Sequence, residues 1–308
     1  MELITDWERQ PSGRRSRTVF TIGVFDGLHR GHRALINMVL KQAARLKAQA
    51  LVLTFEPHPL TVLAPNAVPP LLTTVEDKAE ILADWGLDCL GVMRFTRELA
   101  GTEPLKFLSH HIARFIDPAA VVLGSDFAFG RGAQGGPETI SLWLADLSPR
   151  ARLIQVKPVA GDSGFLSSSQ IRQDLKEGLV ERAAQALDRY YRLSGTVIHG
   201  QARGRALGFP TANLGHIQQL VPGPGVYATR VNLDGQAWPG MTSIGYNPTF
   251  GDKSLTVETN ILDFDRFIYG QNLALDFVAR LRPVIRFESA EHLARQLAQD
   301  RESARGFF

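Results

Sequence analysis

The apolar residues of this chain change their period near Tyr191, and one layer architecture does not accommodate both patterns. Before that point apolar runs alternate with helical spacings. Candidate strands are 18–24, 50–55, 88–95, 119–124 and 152–159. Candidate helices lie between them near 32–47, 74–85 and 103–116, the second with Thr74 as N-cap and Asp77 three residues on. This alternation predicts βαβ units and a parallel sheet, in which ligands bind beyond the carboxyl ends of the strands. Two more helices, near 168–177 and 180–189, are separated by Gly178. After Tyr191 the segments are short, alternating and broken by glycine, proline and asparagine. Residues 226–233 followed by Asp234-Gly235 read as a strand entering a hairpin turn, and 255–262 and 273–281 as further strands. A closing helix over 289–304 carries Leu293 and Leu297 on one face. The expected fold class is α/β plus β. A domain with a parallel sheet occupies 1–184, and a small antiparallel β-barrel with one helix against it occupies 185–308.

With 308 residues the chain is long enough for two ordinary domains. Its single cysteine, Cys89, excludes an internal disulfide and a cysteine-rich zinc site, and fits a reducing compartment. No apolar run is long enough to span a bilayer, and the first residues lack the basic start and apolar core of a signal peptide. A cytoplasmic location without a membrane partner is the expectation. The net charge of +3 suits phosphorylated ligands without requiring nucleic acid. The basic cluster Arg14, Arg15 and Arg17 reads as a solvated lead-in to the first strand.

Residues 23–32, Gly-Val-Phe-Asp-Gly-Leu-His-Arg-Gly-His, fall where the first strand gives way to the first helix. His29 and His32 are three apart, not the four apart that places two imidazoles on one helical face for zinc. An anion fits better. Gly27 and Gly31 permit close backbone approach, and a helix starting near 32 offers free N–H groups and its positive end. Imidazole N–H donors there would stabilise charge on a phosphoryl group. The plainer alternative is a pair of turn histidines satisfied within the fold. Farther on, Ser167, Ser168 and Ser169 can cap the helix that follows, and Arg172 lies one turn in, near enough to share a phosphate. Residues 123–132 combine Asp126, Phe127 and Phe129 with glycines, which suits a planar ligand or an ordinary glycine-rich loop. Phe55-Glu-Pro-His-Pro59 ends another strand at the same sheet edge.

The 23–32 and 55–59 stretches, Gly124-Ser-Asp-Phe-Ala-Phe-Gly-Arg-Gly-Ala-Gln-Gly135 and Ser167-Ser-Ser-Gln-Ile-Arg172, in this order and spacing, resemble the adenylyltransferase half of the bacterial bifunctional riboflavin kinase/FAD synthetase family. The resemblance implies a Rossmann-like nucleotidyltransferase domain. It implies ATP binding at His29 and His32, with Gly23, Phe25, Gly27 and Gly31 around them and Ser168, Ser169 and Arg172 assisting. Asp126, Phe127 and Phe129 would contact flavin. The attacking group would be the phosphate of FMN, and the products FAD and pyrophosphate. A phosphate is already anionic near neutral pH, so this step would need positioning and charge neutralisation rather than a base.

In the second half, Gly200-Gln-Ala-Arg-Gly-Arg-Ala-Leu-Gly-Phe-Pro-Thr-Ala-Asn213 stands out. Gly200, Gly204 and Gly208 can let backbone amides wrap phosphates, though no Gly-Lys-Ser/Thr of a Walker loop follows. Thr211 and Asn213 offer oxygens suited to Mg²⁺. The residues alone leave a glycine-rich barrel turn open. The run from Gly204 to Asn213, which includes Arg205 and Pro210, resembles riboflavin kinases, as do 224–228, 243–251, 257–260 and 263–270. By that resemblance Glu258 is the general base for the ribityl 5′-hydroxyl of riboflavin, ATP the phosphoryl donor and Mg²⁺ the metal. Alone, Glu258 would read as an exposed strand glutamate. Arg282 and Arg286 are candidate phosphate or flavin contacts, with plain surface charge the alternative.

The sequence departs from the commonest family pattern at four places. Val24 stands where asparagine is frequent, Ser169 where threonine is usual, and Asn260 where histidine is usual. Asp188 and Tyr190 replace a glycine and a proline. The expected activity is phosphorylation of riboflavin to FMN and adenylylation of FMN to FAD. Competing readings are an enzyme with one active half, a flavin- or nucleotide-binding regulator, and a nucleic-acid binder. Retention of Glu258, Thr211, Asn213 and both histidines argues against a regulator, since a binder needs no base.

Overall fold

The central strands of the first unit are apolar on both sides, which a parallel sheet needs when helices cover both faces. The computed structural model describes residues 1–10, 16–148, 150–161, 164–200, 208–246 and 255–308. The chain divides into two compact units, 1–69 with 73–166, and 70–72 with 167–308. In the first, β1 (Glu2–Ile4), β2 (Ser16–Ile22), β3 (Gln49–Glu56), β4 (Cys89–Arg94), β5 (Ile116–Gly124) and β6 (Arg152–Val156) form one parallel sheet in the order β1-β4-β3-β2-β5-β6. The connections carry α1 (Arg30–Leu46), α2 (Pro59–Leu63), α3 (Val75–Asp84), α4 (Arg97–Ala100), α5 (Pro104–Phe107) and α6 (Pro137–Leu147). A two-stranded pair, β7 (Ala160–Gly161) with β8 (Gly164–Phe165), ends the unit.

Alternation along the strands sorts the core into two layers. Val19, Val52 and Leu90 pack with Leu35, Ile36 and Val39 of α1 and Leu82 of α3. Phe20, Leu51, Leu53 and Met93 pack with Phe107 of α5 and Ile140 and Trp143 of α6. From β2 the chain winds outward through β3 to β4, then returns to place β5 on the other side of β2. That reversal is the switch point at which open α/β sheets bind ligands, beyond the carboxyl ends of the strands. The 23–29 turn leaves β2 there and the 124–135 loop leaves β5 there.

The second unit begins with α7 (Ser168–Lys176) and α8 (Val180–Leu187). β9 (Tyr191–Ile198), β10 (Ala212–Gly215), β11 (Gly225–Leu233), β12 (Gln236–Tyr246), β13 (Leu255–Ile261) and β14 (Asn272–Arg282) close an antiparallel barrel in the order β10-β13-β12-β11-β14-β9. Leu193, Val197, Leu214, Tyr227, Ile244, Val257 and Phe277 fill its interior, and Ile171, Leu175, Val180, Ala183 and Leu187 from α7 and α8 join the same core. On the outside, α9 (Ala290–Arg305) covers Val226, Ala228 and Met241 with Ala304 and Leu297.

The sequence reading of a parallel sheet followed by a closed antiparallel barrel matches this architecture. The residue-184 boundary falls inside α8, because the apolar stripes of α7 and α8 are spent on the barrel core. The helix expected over 103–116 is instead α5, a π-helical turn (Leu108–Ile112) and the start of β5. β1, β7, β8, α2, α4 and α6, and the barrel strands β9, β10 and β12, are absent from the expectations.

Candidate active sites

In the first unit the 23–29 turn is anchored by its apolar side chains. Phe25 and Leu28 are buried in the core, although both have left-handed backbones (φ 49° and 43°), as does Gly27 (φ 83°). The Phe25 ring folds back so that a Cβ on Gly23 would lie 3.0 Å from it, which is why glycine stands there. The Val24 carbonyl accepts from Thr54 Oγ1 (3.0 Å) and Lys78 Nζ (3.1 Å). Buried Asp26 accepts through Oδ1 from Thr73 N (3.0 Å) and Oγ1 (3.2 Å), and Gly27 N donates to Thr73 Oγ1 (3.0 Å).

His29 ends the turn as the N-cap of α1. Its Nδ1 accepts from Gly31 N (3.1 Å) and His32 N (3.4 Å). The helix therefore starts at Arg30, two residues before the position expected. Two of the amides expected to be free for an anion are occupied by the capping imidazole. With Nδ1 accepting, the ring proton sits on Nε2. A Cβ on Gly31 would lie 3.0 Å from the His29 ring, so glycine makes room for the cap. The His32 ring stacks on His29 at 3.8 Å between centroids and meets Phe25 edge-on.

Asp126, Phe127 and Phe129 follow β5 at the same sheet edge. Asp126 is exposed, and the two rings stack at 5.5 Å, Phe129 leaning on buried Phe107. His58, in the 55–59 stretch, caps α2 by accepting from Leu60 N.

In the second unit Ser167 caps α7, accepting from Gln170 N (3.2 Å), and Ser168 and Ser169 open the helix. Arg172 donates through Nε to Pro70 O (2.8 Å). On the barrel, Asn213 of β10 and Glu258 of β13 are direct cross-strand partners, as are Glu258 and Ser243 of β12. Their neighbours Leu214 and Val257 point into the core, so by alternation Asn213, Glu258 and Ser243 share the outer face in one row. Asn213 lies against Gly200: a Cβ there would be 2.1 Å from Asn213 Nδ2. Gly208 has a positive φ of 80°. Arg205 and Gly204 lie outside the described residues. Asn260 donates through Nδ2 to Pro210 O (2.7 Å), tying β13 to the segment that carries Thr211.

Pro210 and Thr211 also line a cavity of about 160 Å³, together with Phe264, Arg266, Phe267 and Tyr269. Tyr269 stacks on His199 at 4.1 Å. Sequence reading gave these aromatics no role, although three in six residues, Phe264 to Tyr269, were a signal for a planar ligand. Lys78 and Thr73 were missed as well. Lys78 lies on the buried stripe of α3, with Val75, Ala79 and Leu82, where an apolar residue is the rule.

Arg282 does not stand free for a flavin. Its guanidinium makes a forked pair with buried Asp300 of α9, with Nη2–Oδ2 at 2.6 Å, and Nη1 donates to Pro283 O. It anchors the closing helix. Among the described residues no group of three His, Cys, Asp or Glu side chains forms a metal cluster. No described helix is long and apolar enough to cross a membrane.

Two family models match the chain, "FAD synthetase" over residues 12–170 and "Riboflavin kinase" over 187–308. The bifunctional riboflavin kinase/FMN adenylyltransferase of Listeria monocytogenes is 38% identical, with 94% of this chain and 92% of the relative covered. The protein of that name from Escherichia coli K12 is 32% identical, covering 100% and 98%. The crystal structure of a macrolide-efflux protein from Streptococcus pneumoniae matches over the full length of both chains, with a TM-score of 0.90 and 29% identity.

Proposed function

The chain belongs to the bifunctional riboflavin kinase/FMN adenylyltransferase family, phosphorylating riboflavin to FMN and adenylylating FMN to FAD with ATP, and from that premise we propose which residues do each step. Adenylyl transfer is assigned to 1–184 and phosphorylation to 185–308.

In adenylyl transfer a phosphate oxygen of FMN attacks the α-phosphorus of ATP as the bond to pyrophosphate breaks. His29 supplies its Nε2–H to the charge that develops on the phosphoryl oxygens, and His32, held in the stack, acts beside it. Gly23, Phe25, Gly27 and Gly31 form the turn that delivers them. Asp126, Phe127 and Phe129 receive the flavin. The observation that supports this half is the His29 cap, in which Nδ1 accepts from Gly31 N and His32 N and so orients the ring at the start of α1.

In the kinase reaction Glu258 accepts the proton of the ribityl 5′-hydroxyl as its oxygen attacks the γ-phosphorus of ATP and ADP leaves. Gly200, Arg205, Gly208 and Pro210 cradle the phosphates. The oxygens of Thr211 and Asn213 are hard donors, which fits Mg²⁺ held jointly by protein and phosphates. Bound there, the ion would neutralise phosphate charge. The in-register pairing of Asn213 with Glu258 supports this half, because it sets phosphate side and base side on one outer face. The aromatic-lined cavity beside Thr211 accepts a planar ring. The substrates and the single buried cysteine fit a cytoplasmic setting.

The test is a time course with riboflavin, ATP and Mg²⁺, separating flavins by chromatography. The parent enzyme accumulates FMN first and FAD later. Glu258→Gln lowers FMN formation by about 10²–10⁴-fold while converting supplied FMN to FAD at the parental rate. Unchanged FMN formation in that variant would remove Glu258 from its role.

A further inference from the structure

We infer that Lys78 is a positioning residue for adenylyl transfer, holding from beneath the turn that carries His29 and His32. The inference rests on the assignment of that turn to ATP. Lys78 is 3% exposed, and desolvation by burial pulls its pKa down while Asp26, Glu56 and Asp77 push it back up. Burying an ammonium is costly unless it is compensated, so a methionine or leucine on this stripe would suit α3 better if packing were the only demand.

The contacts show what the charge does. Lys78 Nζ donates to Val24 O at 3.1 Å, and Thr54 Oγ1 donates to the same carbonyl at 3.0 Å. Immediately after Val24 the backbone turns left-handed at Phe25, Gly27 and Leu28. For the two non-glycine residues that conformation is strained and persists only where the surroundings over-determine it. Thr73 and Asp26 fix the far half of the turn, and Lys78 with Thr54 fixes the near half. The turn then delivers His29 to the helix start, where the cap sets the ring. Lys78 lies under the backbone and touches no reacting atom. Its effect reaches the phosphates only through the placement of the turn, and a displacement of about 1 Å there costs up to a hundredfold in rate.

The experiment measures FAD formation from supplied FMN and ATP by Lys78→Met and Lys78→Arg enzymes, with riboflavin phosphorylation by the same preparations as the internal control. We expect Lys78→Met to lower kcat for FAD formation by about tenfold or more with KM for FMN within about twofold, and Lys78→Arg, which keeps charge and donor, to recover most of the loss. A Lys78→Met enzyme with parental kcat overturns the inference, as does a folded Lys78→Arg enzyme no faster than Lys78→Met. If Lys78→Met does not fold, Thr54→Val decides, since it removes the other donor to Val24 O without touching a charge. A several-fold fall in kcat with the thermal transition retained supports the inference, and a parental rate overturns it. A His29→Ala/His32→Ala enzyme run alongside separates the premise. FAD formation surviving there sinks the histidine assignment, whereas FAD formation lost there and intact in Lys78→Met sinks Lys78 alone.

Discussion

His29 both caps α1 and, in the proposed mechanism, supplies a donor to phosphate, and the two roles use different ring nitrogens. They can therefore be pulled apart. Asparagine is a strong N-cap and accepts the same backbone N–H groups, but it carries no donor to where Nε2 lies. His29→Asn is expected to stay within about 0.5 kcal/mol of the parent in urea unfolding, whereas His29→Ala loses about 1 kcal/mol. Both variants lower FAD formation by about 10²–10³-fold. If His29→Asn keeps parental FAD formation, the imidazole is a cap and nothing more. At this scale the sequence revealed residues whose type is unusual for their place: two histidines at a strand–helix junction, a threonine and an asparagine after a glycine-rich run. It did not reveal which amides were already taken. Whether Gly31 N is free depends on a ring torsion of His29, and whether Arg282 is held in an ion pair depends on Asp300, which lies on another element. Lys78 was legible only as a lysine on the wrong face of a helix, a signal that needs the helix register to be trusted.

α7 and α8 show how an element can be recognised while its neighbour is not. Their periodicity and the break at Gly178 fix both helices, and the amphipathic stripe says that each must cover something apolar. It does not say what. The change of period near Tyr191 invites a cut before the first barrel strand, yet Ile171, Leu175, Val180, Ala183 and Leu187 belong to the barrel core. Each large side chain among them contributes about 1.5–3 kcal/mol when buried. A fragment starting at Ser167 is therefore expected to unfold cooperatively, and one starting at Tyr191 to melt at least about 10 °C lower or not fold at all. Equal midpoints in differential scanning calorimetry would mean that the two helices only decorate the barrel. α6 was overlooked for the opposite reason. Pro137 at its first turn and Ile140, Trp143 and Leu144 at helical spacing mark it plainly, but it follows directly on a glycine-rich loop with no polar side chain to cap it.

At the scale of the whole molecule, the product of one reaction is the substrate of the other, and the chain holds two compact units with separate cores. Parallel sheet and closed barrel were both legible because each has its own period; nothing in either period speaks of the path FMN takes. A mixture of two full-length variants reads that path. Glu258→Gln keeps the residues proposed for adenylyl transfer, and His29→Asn keeps those proposed for phosphorylation. If FMN leaves into solvent after it is made, the mixed enzymes convert riboflavin to FAD, with free FMN rising first and a lag that shortens as protein concentration increases. That is the expected outcome, since each unit closes its own core and each site draws on its own set of residues. A mixture in which FMN stays bound to the His29→Asn chain and no FAD forms, while Glu258→Gln still converts supplied FMN, would mean instead that FMN is not released between the two steps. The chain would then be a conduit as well as a carrier of two enzymes.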